Sequence, residues 1–196
     1  MGYWLGILGS DGCVASTENQ IYIELQQSDR ELLEKLNVAI ENERPVKDYI
    51  TGRGYECSKL YFYSKQIKQD LAIYHIIPNK TYNPNFLFPE TLQKEFIPDY
   101  IRGLFDGDGS IKMTGSSVTW QLDCSSKNII LNIQSFLQEY NINTNITILP
   151  KTNISIYRLY AYGNEKNRKI YNLLYSTSSN LFLRRKKEKF EELLCL

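Results

Sequence analysis

Two acidic turns in this chain have the residue types and the spacing for chemistry. The segment Trp4-Leu-Gly-Ile-Leu-Gly-Ser-Asp-Gly12 returns as Ile101-Arg-Gly-Leu-Phe-Asp-Gly-Asp-Gly109, which sets Asp11 and Asp108 97 positions apart (108 minus 11) in 196 residues. Each aspartate closes an apolar stretch that reads as a helix, at the end where carbonyls are unpaired and the dipole is negative. Two carboxylates gathered in that field repel each other and call for cations. Oxygen donors alone, with no histidine or cysteine, favour hard Mg2+ over zinc, and such an ion activates water and neutralises phosphate charge. Phosphodiester hydrolysis is the chemistry that suits.

The elements that must bring the two turns together are the helices themselves. Small residues sit four apart in each, Gly6 with Ser10 and Gly103 with Gly107, so each pair shares one face and lets two backbones approach closely. This predicts motif helices packed side by side around a pseudo-twofold axis. Downstream residues repeat as well. At the same offset Ile21, Ile23, Leu25 and Ser28 fall on Val118, Trp120, Leu122 and Ser125; with two residues inserted, Lys59-Leu-Tyr-Phe-Tyr-Ser64 falls on Arg158-Leu-Tyr-Ala-Tyr-Gly163.

One unit is therefore written twice, each copy reading helix, two strands, helix, two strands, helix. The fold class is α+β, with two pseudo-symmetric αββαββα repeats. Ser28, with Glu31 three residues on, reads as a capping box for the second helix, whose apolar face is Leu32, Leu33, Leu36 and Ile40. Ser125 is the corresponding cap ahead of Ile129, Ile130, Ile133 and Leu137. The preceding strand alternates: Ile21, Ile23 and Leu25 point one way, Tyr22, Glu24 and Gln26 the other. Such an antiparallel sheet backs onto helices and leaves a polar face for solvent or ligand. That face carries Lys59, Tyr61 and Tyr63 in one copy and Arg158, Tyr160 and Tyr162 in the other. Proline marks a linker between Pro78 and Pro98, giving half-domains at 1–83 and 98–196 joined by 84–97.

Composition narrows the class further. The chain is 42% hydrophobic but has no apolar run of membrane-spanning length and no leader-like N-terminus, so an intracellular protein without a membrane partner is expected. Cys13, Cys57, Cys124 and Cys195 are scattered, and the single histidine, His75, lacks a ligand partner; zinc and disulfide frameworks are not expected. Net charge is only +1, yet residues 1–97 hold 10 basic against 13 acidic side chains and the remainder 13 against 9. Where the charge sits matters more than its sum.

These residues resemble the LAGLIDADG homing endonucleases in their single-chain, two-repeat form. The likeness extends to Asp106-Gly-Asp-Gly-Ser-Ile111, to Pro78-Asn-Lys-Thr81 and to Leu183-Arg-Arg-Lys186. It implies that the motif helices form the interface between half-domains and that two antiparallel sheets make a DNA-binding saddle over the major groove. It also implies a monomeric enzyme that cuts both strands of a long, imperfect palindrome. Two or three Mg2+ ions would serve as cofactor, with Mn2+ substituting and Ca2+ binding without cleavage.

Carried over by position, Asp11 and Asp108 are the metal ligands, with the carbonyls of Ser10 and Gly107 completing the shell. Lys80 and Lys186 are the basic residues near the scissile phosphates. Gln26, with Asp123 as its counterpart, is a polar supporting residue, and Gly9 departs from the pattern set by Asp106. On the sheet faces, Lys59 and Arg158 can donate to guanine, Gln121 can pair with adenine and Glu24 can accept from cytosine. Tyr22, Tyr61, Tyr63, Lys112, Thr119 and Tyr160 are further DNA-contact candidates.

The leading expectation is a site-specific, intron-encoded or free-standing DNA endonuclease acting where genomic DNA lies, in bacterial or phage cytoplasm or an organelle. The alternative is a DNA-binding regulator or an intron RNA maturase on the same scaffold. A structural repeat without nucleic acid leaves the strand-face Lys and Tyr unexplained. Only Met1 to Tyr3 precede the first motif, which points to a free-standing protein rather than an intein.

Overall fold

A helix that is apolar on every side belongs in the middle of a protein, and Gly2–Ser10 (α1) is such a helix: Tyr3, Leu5, Gly6, Ile7, Leu8 and Gly9 are all buried. Its counterpart Ile97–Asp108 (α4) opens with Pro98 in the first turn, where the missing amide hydrogen breaks no helical bond, and buries Tyr100 through Asp106. The computed structural model describes residues 1–176 and 180–196. In it α1 and α4 pack against each other at the centre of one apolar core that runs through both halves.

Each motif helix leads directly into a four-stranded antiparallel sheet. The first is built from Gly12–Val14 (β1), Gln20–Gln26 (β2), Lys47–Ile50 (β3) and Glu56–Tyr63 (β4), in the order β1-β2-β4-β3. The second is built from Gly109–Thr114 (β5), Ser117–Cys124 (β6), Asn145–Lys151 (β7) and Ile154–Tyr162 (β8), in the order β5-β6-β8-β7. Identical order in two sheets is the duplication read from the sequence, now in three dimensions. The inner face of the first is Ile21, Ile23, Leu25, Leu60 and Phe62, and that of the second is Val118, Trp120, Leu122, Leu159 and Ala161. These rows back onto the core, as their two-residue alternation requires.

The remaining helices cover that core: Arg30–Ala39 (α2), Lys65–Ile73 (α3), Lys127–Glu139 (α5), Asn164–Tyr175 (α6) and Arg184–Leu194 (α7). The second half therefore closes with two helices where the sequence reading had one, since Leu174, Phe190 and Leu194 all need cover. Between Tyr74 and Phe96 the regular structure consists of two 3-10 turns, Lys80–Tyr82 and Lys94–Phe96. This connection packs rather than dangles, burying Phe86, Phe88 and Leu92. His75 is half-buried just past α3, with φ at 61°.

Three local expectations are corrected. Ser28 does not cap α2, because residues Gln27–Asp29 form a 3-10 turn and the helix starts at Arg30. Buried Asp29 is gripped by Arg185 at 2.9 Å, which holds that turn, and Glu31 pairs with Lys35 instead of the backbone. In the second half the cap is Ser126 rather than Ser125, its Oγ accepting from the Ile129 amide at 3.3 Å.

The third correction concerns the repeat itself. Gly12 pairs with Ile23, and Ile23 with Leu60; Gly109 pairs with Leu122, and Leu122 with Leu159. Ile23 thus corresponds to Leu122, not Trp120, so the two additional residues of the second copy already lie in the β5–β6 hairpin. That hairpin turns tightly at Gly115, φ +60°, where the first copy has a longer loop. The 3-10 turn ahead of α2 then restores the original offset: Leu32, Leu33 and Leu36 match Ile129, Ile130 and Ile133. By this register the counterpart of Asp123 is Glu24, and that of Gln26 is Ser125.

Candidate functional site

The motif helices meet at backbone distance. A Cβ on Gly6 would lie 2.7 Å from the Gly103 Cα and 2.3 Å from the Tyr100 carbonyl oxygen. Further along, a Cβ on Gly107 would collide with Ser10 Oγ at 1.9 Å and Asp11 Oδ2 at 2.6 Å. The end of α1 therefore rests on the end of α4, and the small residues are what allow Asp11 and Asp108 to share one site. Ser10 turns its hydroxyl back onto the Gly6 and Ile7 carbonyls.

The electrostatics are those of two anions in a poorly hydrated place. Burial, reinforced by the Asp108 charge, raises the Asp11 carboxyl to about 6, while Lys186 and Lys80 pull it back. Asp108 is also raised, by the protein crowding its carboxyl and by Asp123, against Lys80, Lys186 and Lys151. Both therefore hold protons more tightly than ordinary aspartates. The two carboxylates suit a hard divalent ion, but of the two carbonyls expected to join them that of Gly107 already accepts from Lys186 at 3.1 Å. Among the described residues no cluster of three or more His, Cys, Asp or Glu side chains forms, so water or substrate oxygens would have to complete a shell.

The two candidate lysines differ. Lys186, only 9% exposed, donates to the carbonyls of Phe105 at 2.7 Å, Gly107 at 3.1 Å and Gly109 at 2.8 Å. It caps the C-terminus of α4 with all three of its hydrogens, and burial lowers its ammonium to about 8. Lys80 makes one corresponding bond, to the Gly12 carbonyl, and lines a cleft of about 450 Å³ with Ser10, Asp108, Asp123, Lys151 and Arg158. Burial lowers its pKa too.

Asp106, which the sequence marked only as a contrast with Gly9, is fully buried and accepts from the Tyr3 hydroxyl and the Leu183 amide, each at 2.8 Å. It ties α1, α4 and the start of α7 together, and so sets where Lys186 enters. Gly9 at the matching place packs beneath Leu104, Ile76 and Phe86, where a carboxylate would have no partner. Arg102, 1% exposed, bonds the carbonyls of Leu181 and Leu174, pairs with Asp99 at 2.8 Å and lies over the Tyr3 ring. The sequence reading passed over Arg102, although a charged side chain within an apolar helix was a signal that could have found it.

On the sheet faces, Tyr22, Glu24, Lys59, Tyr61, Gln121, Arg158 and Tyr160 are half-buried, and Gln26, Tyr63 and Lys112 are exposed. Thr119 is corrected: it is 6% exposed and bonds Thr114 at 2.9 Å, which takes it off the accessible surface. Lys59 lies 3.8 Å over the Tyr22 ring and 3.8 Å from Glu24. Arg158 is held by Asp123 through two bonds. Three cations missed in the sequence join this surface: Arg44 over Tyr61 and Tyr63, Lys47 over Tyr61, and Lys151 beside Asp108. Arg44 and Lys47 come from the stretch between α2 and β4, whose course had no repeat to reveal it.

Comparisons with known proteins agree with this architecture. Residues 95–182 match the family model described as LAGLIDADG-like domain, and residues 1–69 match that of the WhiA LAGLIDADG-like domain. The chain belongs to the LAGLIDADG family and carries two of its repeats. Among solved structures, it is similar to the N-terminal LAGLIDADG domain of DUF199/WhiA, with 16% identity, a TM-score of 0.58, and coverage of 90% of this chain and 82% of that one. It is also similar to the meganuclease I-SmaMI bound to uncleavable DNA, with 11% identity, TM-score 0.60 and coverage of 98% and 88%. Variants of the homing endonuclease I-DmoI give 12% identity, TM-score 0.59 and coverage of 92% and 96%. At these identities the likeness is one of fold. A curated relative, the DNA-directed RNA polymerase subunit Rpo1C of Methanocaldococcus jannaschii, is 25% identical over 143 residues. The match takes in 72% of this chain but only 16% of that protein.

Proposed function

We propose that the chain is a site-specific DNA endonuclease that hydrolyses both strands of a long pseudo-palindromic duplex with Mg2+. The observation that carries this is the meeting of Asp11 and Asp108 at touching helix ends, with Lys80 lining the cleft that contains Asp108. One of the similar structures is a meganuclease bound to DNA, and this extends the reading to duplex DNA as partner. Asp11 and Asp108 would hold the metal, with water and phosphate oxygens completing its shell. Bound there, the metal supplies a water nucleophile at neutral pH and neutralises phosphate charge. Lys80 donates toward the phosphate oxygens from a partly desolvated position, where a positive donor acts most strongly on developing negative charge. The open sheet faces hold the duplex through the Tyr, Lys and Arg rows.

A DNA-binding protein without cleavage is the second reading. It is favoured by Lys186, whose hydrogens are all given to carbonyls, and by the match of the first half to the WhiA domain. The deciding experiment scores binding and cleavage of a randomised duplex library by the wild type, Asp11→Asn and Asp108→Asn, in Mg2+ and in Ca2+. Cleavage of one sequence class by the wild type in Mg2+ alone, with both variants binding but not making double-strand breaks, establishes the nuclease. Selective binding without cleavage in either metal establishes the second reading, and failure to bind duplexes moves the search to intron RNA.

A further inference from the structure

We propose that Asp123 is a positioning residue for base readout: it holds Arg158 as a fixed two-pronged donor for a guanine beside the cleavage centre. The inference rests on the nucleic-acid reading above and deepens it, naming one base and the half-site that carries it.

Arg158 and Asp123 face each other across the β6–β8 ladder. Nε donates to Oδ1 at 2.7 Å and Nη2 to Oδ2 at 2.6 Å, so the carboxylate grips one edge of the guanidinium. Five N–H donors belong to an arginine, and this grip uses two of them. Of the three that remain, one on Nη1 and one on Nη2 point outward side by side and form the outer edge of the plane. An edge with two parallel donors matches two adjacent acceptors. In the major groove guanine presents such a pair, O6 and N7, whereas adenine places a donor beside its N7.

The grip also fixes the side chain before any partner arrives, so little freedom is left to lose on contact. Because Asp123 already balances its charge, Arg158 adds little unspecific attraction for phosphate; its effect falls on selectivity. Both side chains are 29% exposed and line the cleft that contains Asp108. Asp123 follows Leu122, the ladder partner of Gly109, which itself follows Asp108. The guanine therefore belongs to the innermost base pairs of the half-site under the second sheet.

The equivalent pair in the first sheet, Glu24 with Lys59, is built differently. Its charges stand 3.8 Å apart, and the Lys59 ammonium sits over the Tyr22 ring. An ammonium is a point donor on a flexible stem and discriminates less between acceptor patterns. The two halves of the target then differ at this matched position: guanine in one, a relaxed base in the other.

The test is selection of a randomised duplex library for binding in Ca2+ by the wild type, Arg158→Ala, Asp123→Asn and Lys59→Ala. The wild-type sites are expected to share a guanine at one near-central position of one half-site, preferred about tenfold or more over other bases. Arg158→Ala flattens that position alone, Asp123→Asn weakens the preference severalfold, and Lys59→Ala leaves it in place. An unchanged guanine preference in either Arg158→Ala or Asp123→Asn overturns the inference, as does a wild-type consensus in which no position responds to residue 158. Absence of selective duplex binding by the wild type overturns both this inference and the reading beneath it. Selection of that guanine without cutting in Mg2+ removes the nuclease activity alone and leaves the readout standing.

Discussion

Gly6 and Gly103 lie back to back where the two motif helices cross, so close that a Cβ on Gly103 would stand 2.9 Å from the Gly6 Cα and 2.3 Å from the Tyr3 carbonyl oxygen. The contact is backbone on backbone, and no rotamer change can relieve an added methyl group. Gly103→Ala is expected to destabilise the fold by about 3 kcal/mol or more, at or above the upper end of the usual range for a crowded core. Gly52→Ala, with open space around it, serves as the control. Urea midpoints of the two variants check the difference.

The paired aspartates at the two helix ends give the protein a definite pH dependence. Asp11 is raised from 3.8 to about 6, and Asp108 is raised as well. A carboxyl whose folded pKa exceeds its unfolded value contributes stability that is fully present below the unfolded pKa and is lost as pH rises through the folded one. For Asp11 the window is therefore pH 4 to 6, and the metal-free protein gains relative stability from this group as pH falls through it. Asp11→Asn is expected to gain about 1–3 kcal/mol at pH 7 and to lose this part of the pH dependence. Thermal melts in chelator across pH 4.5–7.5 read it, and an unchanged slope in the variant refutes the assignment.

Lys80 and Lys186 separate by which property each supports. Lys186→Met leaves three helix-end carbonyls without their donor, so a loss of about 2–4 kcal/mol is expected. Lys80→Met removes one such bond, so stability changes less while cleavage falls about 100-fold or more. Parallel urea melts and single-turnover cleavage rates of the two variants test the split. Equal stability losses sink it.

Asp106 is held ionisable by the groups that donate to it. Burial raises its carboxyl to about 6, and the bonds from Leu183 and Tyr3 restrain that rise. Tyr3→Phe removes one of them, so the Asp106 pKa is expected to rise further and stability to fall by about 1–3 kcal/mol. A carboxyl-carbon NMR titration follows the first effect, and an unshifted resonance would show that the Tyr3 bond does not restrain it.

Much of this architecture is written in local pattern. Apolar and polar residues alternating along Ile21–Gln26 need no partner to declare a one-faced strand, and the Gly-x-x-x-Ser and Gly-x-x-x-Gly spacings declare helix faces that admit close contact. The paired Asp-Gly ends announced an oxygen-lined site because a helix end and a carboxylate are both local facts. The rotation of each half toward the other is not local. Neither is the number of helices needed to cover Phe190 and Leu194.

The duplication, the helix and strand types and the two aspartates at the centre are all legible from residue order alone. The register, and the roles that depend on it, emerge only when the strands pair. A slip of two residues in a strand leaves every side chain on its own face, so alternation cannot distinguish Ile23 matched to Trp120 from Ile23 matched to Leu122. Only the hydrogen-bonded ladder does, and with it Asp123 passes from the counterpart of Gln26 to the partner of Arg158. Likewise, Lys186 and Lys80 look alike as residues near the ends of their repeats. Which of them has its hydrogens committed to carbonyls is settled by where the chain folds back, because a hydrogen bond depends on distance and direction in space rather than on position along the chain.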